Sequence, residues 1–167
     1  MVNSGIKKSK IMKFKNWLQK WNLTSLKINA EFLEFELKFD DTDKKAAWEM
    51  YVELLTRITT QPLNVEHGDE DTALKSIHNL FPLTREILKK YGTGSIAFAK
   101  VAIVILNQII RPFTAKWHKQ STQGGFKEPN VCLEFRAELE ELRLQLVIYA
   151  RLLSDIAGVE DLTNLEA

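Results

Sequence analysis

The sequence lacks several features that identify familiar classes of protein. It has 167 residues and one cysteine, Cys132, so no disulfide can form within the chain. That cysteine usage is typical of a reducing compartment, and we therefore expect a cytoplasmic protein. The GxSxG, HExxH and CxxC motifs are also absent, so the common hydrolase and metal-binding classes have no support. We expect no metal ion and no cofactor.

The sequence also lacks a strong net charge, and we expect no export signal. The chain has 23 Lys and Arg against 22 Asp and Glu, so any contact with nucleic acid or an anionic membrane must come from a local patch. Residues 1–12 are basic, but no apolar signal core with a cleavage site follows them. The longest apolar run, residues 96–106, contains Lys100 and is shorter than the roughly 20 residues that span a bilayer. A buried core helix is the favoured interpretation.

The composition that remains is that of one folded domain. Hydrophobic residues make up 45% and charged residues 27% of the chain, which is typical of globular proteins, and the length suits a single core. The patterns described below predict a mainly α-helical bundle of about four to five helices with a small N-terminal β element. We expect residues 1–40 to form an amphipathic helix and short strands, and residues 43–157 to form the bundle.

The N-terminal segment, residues 10–21, has the pattern of a basic amphipathic helix. Ile11, Phe14, Leu18 and Trp21 recur at steps of three and four, which places them on one helical face. Four lysines surround that face: Lys10, Lys13, Lys15 and Lys20. Two interpretations stay open, namely a helix docked on its own domain, and a segment that contacts phosphates of nucleic acid or an anionic membrane surface.

Residues 25–39 alternate between apolar and polar side chains, which favours extended structure. The phase of the alternation slips at Phe32 and Leu33, which indicates a bulge or a bend. We expect one or two short strands here. Two strands alone are marginally stable, so these strands must pack on the helices or pair with another chain.

Two helices are predicted between residues 40 and 92. The acidic run at 40–43 is a helix-start signal, and Pro62 should end the first helix. The second helical pattern, residues 72–91, contains Pro82, which should kink or split it, and Gly92 supplies its C-terminal cap. His78 lies in this pattern beside an isoleucine, and we expect it to be a packing or surface residue.

The central helix, about residues 95–119, is the most apolar in the sequence. It is apolar nearly all round from 96 to 110, so we expect it in the middle of the bundle, with Ser95 as its cap. The last helix, about 131–157, carries a heptad seam made of Phe135, Leu139, Leu142, Leu146, Tyr149, Leu153 and Ile156, and ends at Gly158. The seam suits a neighbouring helix of the same bundle or a second copy of the chain. Together with the strands at 25–39 it leads us to expect a homo-oligomer.

Polar residues interrupt the central helix at regular steps. Asn107, Arg111, Thr114 and His118 follow one another at spacings of four, three and four, so they share one face of the helix. Arg111 and His118 are two turns apart and can reach a common anion between them. The structural alternative is that Arg111 pairs with Glu138 or Glu141 while His118 caps the end of the helix.

The segment RPFTAKWH, residues 111–118, resembles the motif of the HEPN superfamily, in which four to six residues separate an arginine from a following histidine. The resemblance implies that two copies of the chain meet to form one metal-independent RNA-cleaving site. It gives roles only to Arg111, which would hold the phosphate, and His118, which would move a proton. Asn107 and Thr114 share their helix face and would form a supporting polar stripe. Pro112 departs from the polar residue that often follows the arginine, and it predicts a bend in the helix.

Three hypotheses for function follow. The first is a homodimeric RNA-binding or metal-independent endoribonuclease domain that uses Arg111 and His118, as in the antiviral defence systems of bacteria where the superfamily is common. The alternative is a non-enzymatic helical interaction or regulatory subunit that binds a second protein of such a defence complex. The third is a protein that contacts the membrane surface through residues 10–21.

Overall fold

The computed structural model describes residues 11–57 and 59–165. They form a mainly α-helical bundle with a small two-stranded antiparallel sheet near the N-terminus, as predicted. In chain order the elements are β1 (Met12–Lys13), α1 (Phe14–Lys20), α2 (Ala30–Leu33), β2 (Glu36–Leu37), α3 (Asp41–Leu55), α4 (Glu70–His78), α5 (Leu80–Tyr91), α6 (Ile96–Ile105), α7 (Arg111–Thr122) and α8 (Pro129–Ala157). A π-helical turn, Leu106–Ile110, joins α6 to α7 without a break.

The N-terminal sheet corrects the prediction for residues 25–39. Only Glu36–Leu37 of that segment is a strand, and it pairs with β1 of the same chain, with Met12 opposite Leu37. The break in the alternating pattern at Phe32 is caused by the short helix α2 and not by a bulge. Its cause is Asn29, whose side chain accepts a hydrogen bond from the Glu31 N–H at 2.9 Å and so starts a helical turn.

The amphipathic helix predicted at 10–21 is present as α1, Phe14–Lys20, which docks on its own domain. Its apolar face is buried through Phe14, Trp17 and Leu18. Two of the four lysines form ion pairs, Lys13 with Glu34 at 2.6 Å and Lys20 with Asp155 at 3.2 Å. Lys15 is exposed, and Lys10 lies outside the described residues. Contact of these lysines with RNA or a membrane stays a prediction.

Helix α3 begins with a reciprocal cap at Asp40 and Asp43. The Asp40 carboxylate accepts from the Asp43 N–H at 3.1 Å, and the Asp43 carboxylate accepts from the Asp40 N–H at 3.1 Å. Asp43 is 1% exposed, and its second oxygen accepts from the Phe98 N–H, in the first turn of α6, at 2.8 Å. Burial raises the pKa of the Asp43 carboxyl. One carboxyl group therefore caps two helices.

The cap predicted for the central helix was wrong. Ser95 does not accept from the helix, because it closes a 3₁₀ turn at 92–95 and its hydroxyl donates to the Gly92 carbonyl at 2.9 Å. The Phe98 N–H is instead satisfied by Asp43 of α3, a partner too distant in sequence to be recognised from local spacing.

The ends of the middle helices differ in detail from the prediction. Helix α3 stops at Leu55, well before Pro62, because the buried hydroxyls of Thr59 and Thr60 donate to the Leu54 carbonyl at 2.8 and 3.1 Å. The predicted split of the next helix is confirmed and falls at Asn79. Pro82 then lies in the first turn of α5, where a missing N–H is tolerated.

The core is built around α8, which packs most extensively against α3. All seven residues of the heptad seam are buried within one chain, since none is more than 6% exposed. The intramolecular alternative for the seam is therefore confirmed. Because β2 also pairs with β1 of the same chain, neither the seam nor the strand pairing requires a second copy. Oligomerisation itself stays a prediction.

Helix α6 lies in the core on one side and at the surface on the other. Ala97, Phe98 and Val101 are buried, but Ile96 is 58% and Ile103 46% exposed.

Among the described residues, one helical run, Glu70–Thr122, contains an 18-residue window with a mean hydropathy of 1.7, of which 44% is buried. That window is long and apolar enough to cross a membrane by length and composition alone, and the core helix of a bundle has the same composition.

Replacing Asp43 tests the double cap. We expect Asp43→Ala to lower the free energy of unfolding by about 2–4 kcal/mol, because the buried Phe98 N–H and the partly buried Asp40 N–H lose their acceptor. Asp43→Asn keeps one carbonyl oxygen for Phe98 and should lose about half as much. The control is Asp41→Ala in the same turn, where a 94% exposed side chain should cost less than about 0.5 kcal/mol. Denaturant unfolding followed by circular dichroism measures all three, and equal losses for Asp43→Ala and Asp41→Ala would contradict the double cap.

Two buried tyrosines give a matched pair for a second test. The Tyr149 hydroxyl is buried with no hydrogen-bond partner among the described residues, and burial raises its pKa. The Tyr51 hydroxyl accepts from the Leu162 N–H at 2.6 Å and donates to the Glu160 carbonyl at 3.3 Å. We expect Tyr51→Phe to cost about 1–2 kcal/mol, and Tyr149→Phe to be neutral or to stabilise by up to about 1 kcal/mol. A similar loss in both variants would show that Tyr149 has a partner.

Candidate functional site

Aromatic packing fixes the orientation of α7. Phe113 and Trp117 are buried against Phe135 of α8, with ring centroids 5.6 and 5.1 Å apart. The Trp117 indole N–H also donates to the Glu138 carboxylate at 2.9 Å. Because these residues hold one side of α7 on α8, the opposite side, which carries Arg111 and His118, faces α4 and α5.

The π-helical turn before α7 explains how a continuous helix accommodates Pro112. In this turn the Arg111 N–H donates to the Leu106 carbonyl, five residues back instead of four. An ordinary turn would press the proline ring of Pro112 against the carbonyl of Gln108. The wider turn removes that clash, so the predicted bend takes the form of a π bulge, a feature frequent at functional sites.

A groove lies between α7 and the pair α4 and α5, and we call it the histidine groove. Its first part, with a volume of about 340 Å³, is lined by His78, Phe81, Arg85, Arg111, Thr114, Ala115 and His118. A second part of about 460 Å³ shares His78, Thr114 and His118 and extends to Asp71, Lys75 and Ser121. Both histidines therefore border both parts.

Two contacts set the relative direction of the helices that form the groove. The Ser121 hydroxyl, near the end of α7, donates to the Asp71 carboxylate at the start of α4 at 2.6 Å. The Arg111 guanidinium carbon, at the start of α7, lies 4.8 Å from the ring centroid of Phe81 in α5. Helix α7 therefore runs antiparallel to α4 and the first turn of α5.

This alignment places His78 beside the predicted site. His78 ends α4 and falls between the two contacts, at the level of Thr114 in α7. His118 lies one turn further along α7, and both histidines are exposed. The His78 ring packs on Phe81 with centroids 5.7 Å apart, which limits its rotation.

Arg111 is held at the surface of the groove rather than buried. Its Nε and Nη2 donate to the Asn107 side-chain oxygen at 3.1 and 3.0 Å. The edge formed by Nη1 and Nη2 has no partner among the described residues and can bind an anion through two parallel hydrogen bonds. Asn107 therefore orients the Arg111 guanidinium.

The structural alternative for Arg111 and His118 was wrong. Arg111 forms no salt bridge with Glu138 or Glu141; Glu138 instead binds Lys116 and Trp117. Helical spacing alone could not decide whether Arg111 or Lys116 pairs with Glu138, because both lie within two turns of α7. His118 does not cap the helix end either, since α7 continues to Thr122.

Thr114 contributes less to the groove than the sequence suggested. It shares the face of Arg111 and His118, as predicted, but it is buried and its hydroxyl donates to the backbone carbonyls of Ile110 and Arg111 at 3.3 and 3.1 Å. Its hydroxyl therefore supports the turn after the π bulge, and only its side-chain surface borders the groove.

The first part of the groove has an excess of positive charge. Arg85 and Arg111 line it with no acidic residue, and neither forms a salt bridge within residues 11–57 and 59–165. Lys75 adds a further positive charge in the second part, where Asp71 is the only acidic lining residue and is engaged by Ser121. Such an arrangement favours a bound anion.

Sequence reasoning missed His78 and Arg85. They come from the two helices on either side of the break at Asn79, so no helical repeat connects them with α7. One signal was present: His78 and Arg85 are seven residues apart, as are Arg111 and His118, in the opposite order. When the helices pack antiparallel, the opposite order of the two pairs brings the two arginines to the same part of the groove and the two histidines to the same part. Lys13, Lys15 and Lys20, by contrast, do not line the groove.

The groove offers arginine and histidine side chains rather than a ligand set for a metal. No group of three or more His, Cys, Asp or Glu side chains suited to a metal ion occurs in the part of the chain that the structure describes. Comparisons of the chain with protein-family models, with curated proteins and with solved structures gave no match.

Proposed function

We propose that the chain binds RNA in the histidine groove and cleaves it without a metal ion. The observation that supports this most is the meeting of two arginines and two histidines from α4, α5 and α7 in one solvent-accessible groove. Arginine forks bind the phosphates of a nucleic acid backbone. A histidine can transfer protons near neutral pH.

Arg111 is the principal phosphate ligand in this proposal. Asn107 accepts hydrogen bonds from its guanidinium, and the Phe81 ring packs against the guanidinium face. Little side-chain freedom is therefore lost when a phosphate binds. Arg85 contributes a second positive charge from α5 on the opposite wall. His118 lies beside the phosphate position and moves a proton during cleavage. These roles agree with the HEPN resemblance of residues 111–118, which also suggests a place in bacterial antiviral defence.

The second candidate function is a non-enzymatic interaction or regulatory subunit. The observation that favours it is the exposed apolar surface where α6 meets α2, in which Phe32, Ile96 and Ile103 are 44%, 58% and 46% exposed. Exposed apolar side chains that lie together are typical of interaction surfaces. In that case the histidine groove would bind no RNA, so one binding experiment separates the two functions.

RNA binding is tested with Arg111→Ala, Arg85→Ala and the parent protein. We expect each substitution to weaken the Kd for a labelled single-stranded RNA by about 10- to 100-fold, because a charge-assisted contact contributes about 1.5–3 kcal/mol. Each should also reduce the slope of log Kd against log salt concentration by about one, which corresponds to the loss of one phosphate contact. Arg111→Lys keeps the charge without the fork and should recover part of the loss. Fluorescence anisotropy at several salt concentrations measures these effects.

Two controls separate the site from the scaffold. Lys45→Ala removes a positive charge from the exposed side of α3, away from the groove, and should leave the Kd unchanged. Arg111→Ala should keep its free energy of unfolding within about 1 kcal/mol of the parent, since the residue is exposed, whereas a buried paired arginine would cost about 3–5 kcal/mol. A parent protein that does not bind RNA, or Arg111→Ala that binds like the parent, would reject the proposal.

A further inference from the structure

We infer that His78 and His118 of one chain form the acid and base pair of the reaction, so that a complete site exists without a second copy. This inference rests on the proposed RNA binding and adds a catalytic residue to it. The resemblance at 111–118 supplies one histidine for each chain, and a second proton-transferring group would then have to come from a partner. The structure instead places another imidazole in the same groove.

The geometry of the pair follows from the antiparallel packing of α4 and α7. His78 lies at the level of Thr114, and His118 is four residues further along, which is about 6 Å on the helix axis. The two rings therefore come from opposite walls and are offset along the groove. Arg111 lies about one turn before Thr114, so along α7 the level of His78 falls between Arg111 and His118. A phosphate held by Arg111 would have one imidazole from each wall beside it.

The reaction that fits these groups is transesterification within the RNA backbone. The 2′-oxygen of a ribose attacks the adjacent phosphorus while one neutral imidazole takes the 2′-hydroxyl proton. The bond from phosphorus to the 5′-oxygen breaks, and the other, protonated imidazole gives its proton to that oxygen. The products are a 2′,3′-cyclic phosphate and a 5′-hydroxyl. Nothing else is consumed, and the histidines regain their starting states by proton exchange with water.

The substrate class follows from the same step. Attack needs a 2′-hydroxyl, so RNA is cleaved and DNA is not. The phosphodiester must also be able to turn its 2′-oxygen into line with the departing 5′-oxygen. A double helix resists that rotation, so we expect flexible single strands to be cleaved.

The three histidines of the chain supply the variants and their control. His78→Ala and His118→Ala should each lower the single-turnover cleavage rate of a single-stranded RNA at least about 100-fold. Each should leave the Kd for the uncleavable 2′-deoxy strand within about threefold. His67→Ala is the matched control, because that side chain is 85% exposed in the loop before α4 and should change neither quantity. Circular dichroism and thermal melts verify folding, and His78→Gln serves as a second variant.

A modified substrate separates the acid from the base. In an RNA whose scissile 5′-oxygen is replaced by sulfur, the leaving thiolate needs no proton. We expect this substrate to restore the rate of one of the two histidine variants, the one that lacks the acid, and not of the other. Rescue of neither variant, or of both, would overturn the assignment of an acid and base pair.

Mixing the variants tests whether one chain is sufficient. An equimolar mixture of His78→Ala and His118→Ala should stay inactive, because every groove then lacks one imidazole. Recovery of activity on mixing, or a His78→Ala variant as active as the parent, would overturn the single-chain site. A parent that binds RNA through Arg111 but does not cleave it would overturn this inference and leave RNA binding intact, whereas absence of binding would remove both.

Discussion

The carboxylate of Asp43 connects the starts of two helices that are 55 residues apart in the chain. Two further long helices depend on them: α8 packs along α3, and α7 continues from α6 through the π turn. A buried carboxyl group is costly unless its oxygens are hydrogen-bonded, and here two backbone N–H groups meet that need. The same bonds satisfy one donor at each helix start, and the Phe98 N–H would otherwise be buried and unpaired.

The histidine groove inherits its geometry from this framework. Asp43 fixes where α6 begins, the π turn sets how far α7 is rotated, and the aromatic contacts of Phe113 and Trp117 hold α7 against α8. The groove side chains themselves contribute little to that framework, since Arg111 and both histidines are exposed. Binding groups can therefore be changed at such a site with little loss of stability.

Local patterns in the sequence predicted what local forces determine. The seam of α8 and the shared face of Arg111 and His118 follow from helical periodicity, and both were confirmed. The assignment of the segment around Phe32 to extended structure was wrong, because the Asn29 cap, one hydrogen bond, outweighs a short alternating pattern. His78 could not be placed at the site from sequence, because only the packing of α4 on α7 brings it there. The chemistry of the groove remains a proposal.

The pairing of α3 with α8 also affects how the chain folds as it is synthesised. Helix α3 is made well before α8, and its core face, which includes Met50, Tyr51 and Leu54, is fully buried only in the complete fold. Its main partner, α8, is made after all of α4 to α7. A nascent chain therefore exposes an apolar helix face on the ribosome until most of the sequence has emerged, a state in which chains are prone to aggregate and to bind chaperones. Long-range packing of this kind also slows folding, because distant segments must meet before either is stabilised.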